Sequence, residues 1–305
     1  MSSAARPTAS NRPDHPDHPD RPDRPNRAEQ RAEMAIAKKY QGRVPWEMVA
    51  WGLGNTCVWM TIWPLTFSGV LPLWVAFIAS TICITLSYLP SHEAQHSIIG
   101  AEGTSLRWLN QLVGHVSTIP LVLPYRIAWI THRRHHAHAN DPELDPDRYN
   151  AGANWWESVW HGILGRQPGA QSAYRTLGQE SGDPEIARAL VEGVAMSVTY
   201  YAILAGLAWS GYALEALFVW WLPRQIATSY IQLFLSWAPH YPMEEKGRYR
   251  DTRAWRSPIG TIATMGMEYH IIHHLYPSIP LIQTGPAYWE MRDLLVARGC
   301  RIDGL

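Results

Sequence analysis

The chain has 305 residues, 47% of them hydrophobic and only 17% charged, with 16 Trp, 14 His and 23 Pro. Lys and Arg number 26 against 26 Asp and Glu, so the formal net charge is zero and no basic excess marks nucleic acid as a partner. Three cysteines, Cys57, Cys83 and Cys300, lack C-x-x-C spacing, which excludes a disulfide framework and a thiolate zinc site and leaves any metal chemistry to histidine.

Residues 1 to about 33 carry the tandem run Pro13-Asp14-His15, Pro16-Asp17-His18, Pro19-Asp20-Arg21, Pro22-Asp23-Arg24 and almost no apolar side chains. Such a segment cannot bury enough surface to order itself, so a disordered, solvated arm is expected over 1–33 and a single domain over 34–305. From Met48 to Pro90 there is no Lys, Arg, Asp or Glu, a run about twice the ~20 residues that cross a bilayer. Thr66-Phe67-Ser68, Gly69 and Pro72 divide it into spans of about 48–68 and 71–90. Residues 105–124 are apolar but broken by Arg107, Asn110, His115 and two prolines, which predicts an interfacial or half-inserted helix. Ala189 to Pro223 carries no Lys or Arg and only Glu192 and Glu215; with Trp209-Ser210-Gly211 as the turn, it opens a second hairpin with spans of about 189–209 and 212–235.

The hairpin turns contain no Lys or Arg, whereas Arg126, Arg133, Arg134, Arg148, Arg166 and the Arg248–Arg256 segment lie outside the hairpins. The positive-inside rule places those segments and both termini on the cytoplasmic side. Trp155, Trp156 and Trp160 share one helical face and, with Trp220 and Trp221, suit an interfacial aromatic belt. The expected fold is an all-α integral membrane protein with four transmembrane helices in two hairpins and a cytoplasmic helical cap.

Nine histidines fall into four groups. His92-Glu93-Ala94-Gln95-His96 puts two imidazoles one helical turn apart; His132-Arg133-Arg134-His135-His136 and His270-Ile271-Ile272-His273-His274 share an i, i+3, i+4 spacing; His240 stands alone after the fourth span. One box alone is as well explained by a packed or solvated cluster. Three, all at the cytoplasmic end of a span or in a cytoplasmic loop, can converge on one site. Nine imidazoles suit two first-row metal ions with four or five nitrogens each, and the count does not choose among Zn, Cu, Ni and Fe. Three ligands and a water suffice for a zinc hydrolase, so nine exceeds that need, whereas two irons that activate dioxygen use the surplus. An all-nitrogen shell brings no negative charge, so carboxylates behind the ligands are expected, with Glu93, Asp141, Asp145, Asp147 and Glu268 as candidates. His92-Glu93-x-x-His96 also satisfies the H-E-x-x-H pattern of a zinc metalloprotease, but that reading leaves seven clustered histidines without a role. Of His115, His138 and His161, read as hydrogen-bonded histidines, only His115 could line the site from the interfacial helix.

These boxes resemble the membrane fatty-acid desaturase-like superfamily of di-iron oxygenases, over about residues 85–305. Within it, Asn140-Asp141-Pro142-Glu143-Leu144-Asp145-Pro146-Asp147, Tyr269–Pro280, Leu112–His115 and Ala238–His240 are similar to cyanobacterial-type β-carotene hydroxylases. Glu93 after the first histidine and Leu281-Ile282 depart from that subgroup, and Ser236 stands where some desaturases carry an Asn one turn before the isolated ligand. The resemblance implies His92, His96, His132, His135, His136, His240, His270, His273 and His274 as iron ligands, with Ser236 near them.

It also implies an O2-dependent oxidoreductase in which two irons attack an unactivated C–H bond of a lipidic substrate entering from the bilayer. The reaction needs two external electrons, and the sequence has no flavin, haem or Cys-cluster motif, so a ferredoxin-type donor is expected as partner. Hydroxylation of a carotenoid β-ionone ring is the leading expectation and a fatty-acyl or other lipid desaturase or hydroxylase the alternative. A carotenoid ketolase and a non-enzymatic metal-binding membrane protein are more remote; transport predicts ionisable residues inside the spans, and the first hairpin has none.

Overall fold

A computed structural model describes residues 27–166, 177–178, 180 and 182–305. The Pro-Asp run expected to form a disordered arm lies outside the described residues. Residues 27–33, assigned to that arm from their polarity, instead open the first helix, α1 (Arg27–Tyr40).

α2 (Trp46–Phe67) and α3 (Leu73–Leu86) form the first antiparallel pair, and after Ser87 the chain continues into α4 (Tyr88–Gln95). Pro90 lacks the N–H that would bond across this junction, which accounts for the interruption. Gly52 lets α2 approach its neighbours closely: a Cβ there would sit 2.8 Å from Pro90 Cβ and 3.3 Å from Ser117 Cβ. α5 (Arg107–Ser117) and α6 (Tyr125–His138) follow, then one turn of 3₁₀ helix (Arg148–Asn150) and α7 (Trp155–Gly165), capped by Asn154. α8 (Pro184–Trp209) starts at the Asp183 cap, whose carboxylate accepts from the Glu185 amide. The helical run 213–240, α9, passes through two π-helical stretches, Ala216–Trp221 and Gln232–Trp237, and ends at His240. α10 (Gly260–Ala263), α11 (His270–Leu275) and α12 (Leu281–Ala297) complete the helices.

The apolar helices are pinned by tryptophan. Trp59 Nε1 donates to Ser80 Oγ at 2.9 Å, Ser80 donates to the Val219 carbonyl, and Trp220 Nε1 donates to the Pro120 carbonyl at 2.8 Å. Trp220 meets Trp59 and Tyr200 edge-on, with ring centroids 5.1 and 4.8 Å apart. The hydrogen bonds tie α2, α3 and α9 into one cluster through indole donors that have partners, as buried indoles require, and the Tyr200 ring adds α8 to it.

One expectation needs correction, and another is met in part. The protein is mostly helical but not all-α: Arg253–Trp255 (β1) pairs in parallel with Arg301–Asp303 (β2), each too short to leave a periodic signal. Of the four expected spans, two lie in helices long and apolar enough to cross a membrane, Leu73–Gln95 and Pro184–Trp209. α2 is helical over the expected 48–68 but diluted by Trp, Gly and Thr, and the stretch 212–235 is divided by π-helical turns and carries Arg224, Gln225 and Gln232. Residues 105–124 do contain a helix, α5, with Trp108 and Leu112 exposed and Asn110 and Val113 buried.

α1 closes the cap. Its buried Glu33 accepts from Tyr249 Oη at 3.0 Å and Tyr276 Oη at 2.6 Å and lies 3.8 Å from Arg298 Nε. Tyr276 is two residues beyond His274, so α1 braces the last histidine box. Glu33→Ala would leave two phenols and a buried guanidinium short of an acceptor and is expected to destabilise the chain by about 2–4 kcal/mol, read as a lowered thermal midpoint in detergent. An unchanged midpoint would show that α1 does not brace the cap.

Candidate metal centre

The four histidine groups arrive from four directions. His92 lies in α4 and His96 caps it; His132, His135 and His136 occupy the last turns of α6; His240 ends α9; His270, His273 and His274 lie along α11. The spacing of one helical turn makes each box present its rings to one side.

The rings sort into two sets. The donor nitrogens of His92, His96, His132 and His273 all lie within 4.8 Å of one another, and so do those of His135, His240, His270 and His274. In the first set His96 Nε2 is 2.8 Å from His132 Nε2. His136 joins that set, with its Nε2 3.1 Å from His132 Nε2 and 2.9 Å from His273 Nε2, while its ring stacks on His274 of the other set at 4.2 Å. In the second set His135 Nε2 is 3.0 Å from His240 Nε2. All nine sequence-predicted histidines are therefore brought together, five and four.

The chemistry of this donor set fits two metal ions. His270 has no hydrogen-bond partner at either ring nitrogen and His274 none at Nε2, although all three atoms are buried. Ordinary core histidines are satisfied, because an unpaired buried polar atom costs free energy. Burial holds His132, His136, His270, His273 and His274 far below the usual imidazole range, and their neighbours' charges act in the same direction; burial also takes His96 down to about 3. These rings are neutral near pH 7, the form that ligates a metal.

Two histidines of the second set are oriented from behind. His135 Nδ1 donates to Asp145 Oδ1 at 2.8 Å, and His240 Nδ1 donates to the Asp251 carbonyl at 2.8 Å, leaving each Nε2 turned inward. Burial opposes charging His135, but the Asp145 carboxylate outweighs it and lifts the imidazole to about 9. Asp145 in turn accepts from the Asn140 amide at 2.7 Å and the Asp147 amide at 2.9 Å. Asn140 turns the chain with φ 64°, a left-handed conformation that Asn tolerates, and so brings Asp145 back beneath α6. Ser236 donates to Asp147 Oδ2 and accepts from Asn150 Nδ2, both at 3.0 Å, which docks the loop after α6 on α9 one turn before His240.

The other candidates have different partners. Glu93 accepts from the first amide of α12, Leu281 N, at 2.5 Å and ties α12 to the first box. Glu268 accepts from the Ser257 amide and the Thr261 hydroxyl and braces the segment leading into α11. Asp141 pairs with Lys246 at the surface and caps the Glu143 and Leu144 amides. His115 is 3.3 Å from Glu192, which also pairs with Arg126, so it serves the α5–α6–α8 contact. His161 donates to the Ala151 carbonyl, and His138 is exposed. Sequence reasoning missed Asp251 and Asn150. Asp251 acts through its backbone carbonyl, which no side-chain pattern reveals; Asn150 follows closely on the Asp145-Pro146-Asp147 segment already marked.

The chain matches the family model described as fatty acid desaturase over residues 68–304. It is 23% identical over 269 residues to the sn-1 oleoyl-lipid 12-desaturase of Anabaena variabilis, covering 79% of this chain and 75% of that one. It is 23% identical over 272 residues to a fatty acid conjugase of Calendula officinalis, covering 72% and 68% of the two chains. To the sn-2 acyl-lipid omega-3 desaturase (ferredoxin) of Helianthus annuus it is 23% identical over 202 residues, covering 56% and 45%. The chain belongs to the fatty acid desaturase family, and it is an oxidoreductase. These relatives are lipid desaturases and a conjugase, so they favour the acyl alternative over the carotenoid hydroxylase expected first.

Metal at His135 Nε2 must displace the ring's second proton, whose binding Asp145 favours by holding Nδ1–H. At pH 7.5, below the imidazole's value of about 9, the wild type is expected to release about one proton more per bound metal than Asp145→Asn, in which that carboxylate no longer outweighs burial and His135 starts out neutral. Calorimetric metal titrations in buffers of different ionisation enthalpy measure this, and equal release by both proteins would contradict the His135–Asp145 assignment.

Proposed function

We propose that this member of the fatty acid desaturase family is an O2-dependent di-iron lipid desaturase acting on a fatty-acyl chain presented by the bilayer. The observation that carries the reading is the pair of converging imidazole sets beneath apolar helices. His92, His96, His132, His136 and His273 would hold one iron, and His135, His240, His270 and His274 the other. Two bound irons supply the redox chemistry by which O2 removes hydrogen from an unactivated C–H bond.

The overall reaction balances. Two adjacent methylenes lose two hydrogens and become a double bond; O2 accepts four electrons, two from that bond and two from an external donor, takes up two protons, and leaves as two waters. The chain's contribution is to keep eight of the nine imidazoles neutral, to make His135 more basic through Asp145, to fix the directions of His135 and His240 through Asp145 and the Asp251 carbonyl, and to limit water around the rings by burial. The donor is a ferredoxin-type protein, a reading supported by the similarity to the sn-2 acyl-lipid omega-3 desaturase (ferredoxin) of Helianthus annuus.

The membrane placement follows the same logic. α2, α3, α8 and the first part of α9 cross as two hairpins, and both termini and all three boxes lie on the cytoplasmic side. Val58 and Met60 of α2, Ile78 and Ile82 of α3, and Val191, Val194 and Val198 of α8 are exposed, an apolar girdle that lipid would cover. Trp155, Trp156 and Trp160 on α7 are exposed at the level of the cap, where indoles suit the interface.

Carotenoid ring hydroxylation is the second reading, favoured by the segment Asn140–Asp147 and the third histidine box. The test is to express the chain in a bacterial host that accumulates β-carotene and supplies ferredoxin, then profile acyl chains and pigments by chromatography with mass detection. New unsaturated acyl chains with unchanged pigments are expected, and His273→Ala abolishes them. Pigments heavier by one or two oxygens with unchanged acyl chains would replace the acyl reading with the carotenoid one.

A further inference from the structure

The two tethered rings of the second set come from different helices and are held from different parts of the chain. His135, on α6, bonds through Nδ1 to Asp145 in the loop after its own helix, and His240, at the end of α9, donates through Nδ1 to the carbonyl of Asp251. Their Nε2 atoms meet at 3.0 Å. Neither tether alone can set a distance between two helices.

Asn140 touches both tethers. Its backbone N–H donates to Asp145 Oδ2 at 2.7 Å, and its side-chain Nδ2 donates to the Asp251 carbonyl at 2.8 Å and to the Glu245 carbonyl at 2.7 Å. Both amide protons are thereby used, and the two lone pairs of the Asp251 oxygen are divided between Asn140 and His240. A closed circuit of contacts runs from His135 through Asp145, Asn140 and Asp251 to His240 and back across the facing Nε2 atoms. The bond to Glu245 also draws the two ends of the segment 245–251 together, so that the Asp251 carbonyl is presented to the end of α9. Among the described residues, none of the first set's rings bonds to Asn140, Asp145 or Asp251.

The identity of the residue carries information beyond its backbone. A φ of 64° favours Gly, Asn or Asp, and glycine would make the turn with the least strain. Of the three only Asn also brings two N–H donors, and at 3% exposure water does not take their place. We propose that Asn140 is a positioning residue for the metal of the second set: its side-chain amide fixes His240 against His135 by holding the Asp251 carbonyl. The proposal rests on the reading that each histidine set holds one metal and is independent of the substrate.

The full chain in detergent, freed of metal with a chelator, is titrated with Co(II), and bound ions are counted and followed by their d–d absorption. The wild type is expected to bind two ions; the step missing in His270→Ala marks the second set, and the step missing in His92→Ala marks the first. Asn140→Gly keeps the left-handed turn and the backbone N–H to Asp145 but removes the amide. It is expected to weaken the second-set step about tenfold to a hundredfold, the usual scale for a group that orients a ligand from behind, and to leave the first-set step unchanged. Asn140→Asp keeps the size and the turn but sets an acceptor against two carbonyls, and it weakens the same step although its added charge would attract a cation. Metal-free helicity equal to wild type by circular dichroism shows that the variants are folded; if the glycine chain loses it, Asn140→Asp decides by the same criteria. Unchanged binding at both steps overturns the proposal, and so does equal weakening of both, which would mark a brace for the whole cap. A wild type that binds fewer than two ions removes the two-metal reading itself, whereas two ions with an unaltered second step in the variants remove only the role of Asn140.

Discussion

The constraint on which the structure depends is the convergence of nine buried and half-buried imidazoles at one point. A buried ring nitrogen without a partner is costly, and a buried positive charge is costlier, so eight of these rings are held neutral and turned toward one another, while His135 is lifted to about 9 by the carboxylate of Asp145. No single element could supply nine rings in that geometry. Four helices are required, and each must deliver its histidines within hydrogen-bond distance of residues as far apart in sequence as His136 and His273. Much of the remaining architecture keeps those four helix ends in register.

The tryptophan contacts set the helices that carry the first box and His240. Trp59 and Ser80 join α2 to α3 and reach Val219 on α9, and the same α9 then runs to His240. Its π-helical stretch at Gln232–Trp237 places Ser236 against Asp147 and Trp237 Nε1 3.0 Å from the Gly152 carbonyl. The loop after the second box is thereby fixed to the helix that supplies the lone ligand. On the opposite side, Glu93 bonds the first amide of α12 and Glu33 gathers Tyr249, Tyr276 and Arg298, so the first and third boxes are locked by carboxylates that never meet a donor nitrogen. Two acidic residues with no metal role can thus be as necessary to the site as one that backs a ligand.

The site was more legible in the sequence than the fold. Box spacing is local, because one helical turn decides which rings share a face, and so all nine histidines could be named. Which ring joins which set is tertiary: His135 and His136 are adjacent in sequence and belong to different sets. Among the acidic candidates, spacing could not separate Asp145, which bonds His135, from Asp141, four residues earlier and paired with Lys246 at the surface. α1 was hidden because only Glu33 and Ala37 of its 14 residues are buried, too few to mark an apolar face. The spans were read as runs without charge, but Trp, Gly and Thr dilute one and π-helical turns interrupt another. The sheet was invisible because three-residue strands carry no period.

The two halves of the centre are not equivalent, and the difference lies in their surroundings rather than in their donor atoms. The first set has five rings, drawn from α4, α6 and α11, and the inward contacts of His96, His132, His136 and His273 are to one another. The second has four, and two of them are tethered outward, one to a carboxylate and one to a backbone carbonyl. A carboxylate behind an imidazole increases its basicity and fixes its direction, so a metal in the second set would be offset by a negative charge that no carboxylate bonded to a ring supplies to the first among the described residues. Asp145 has this effect because Asn140 turns the chain back beneath α6 and the Asn140 and Asp147 amides hold both of its oxygens. The asymmetry of a centre built from nine identical side chains therefore originates in one left-handed residue and the loop that it allows.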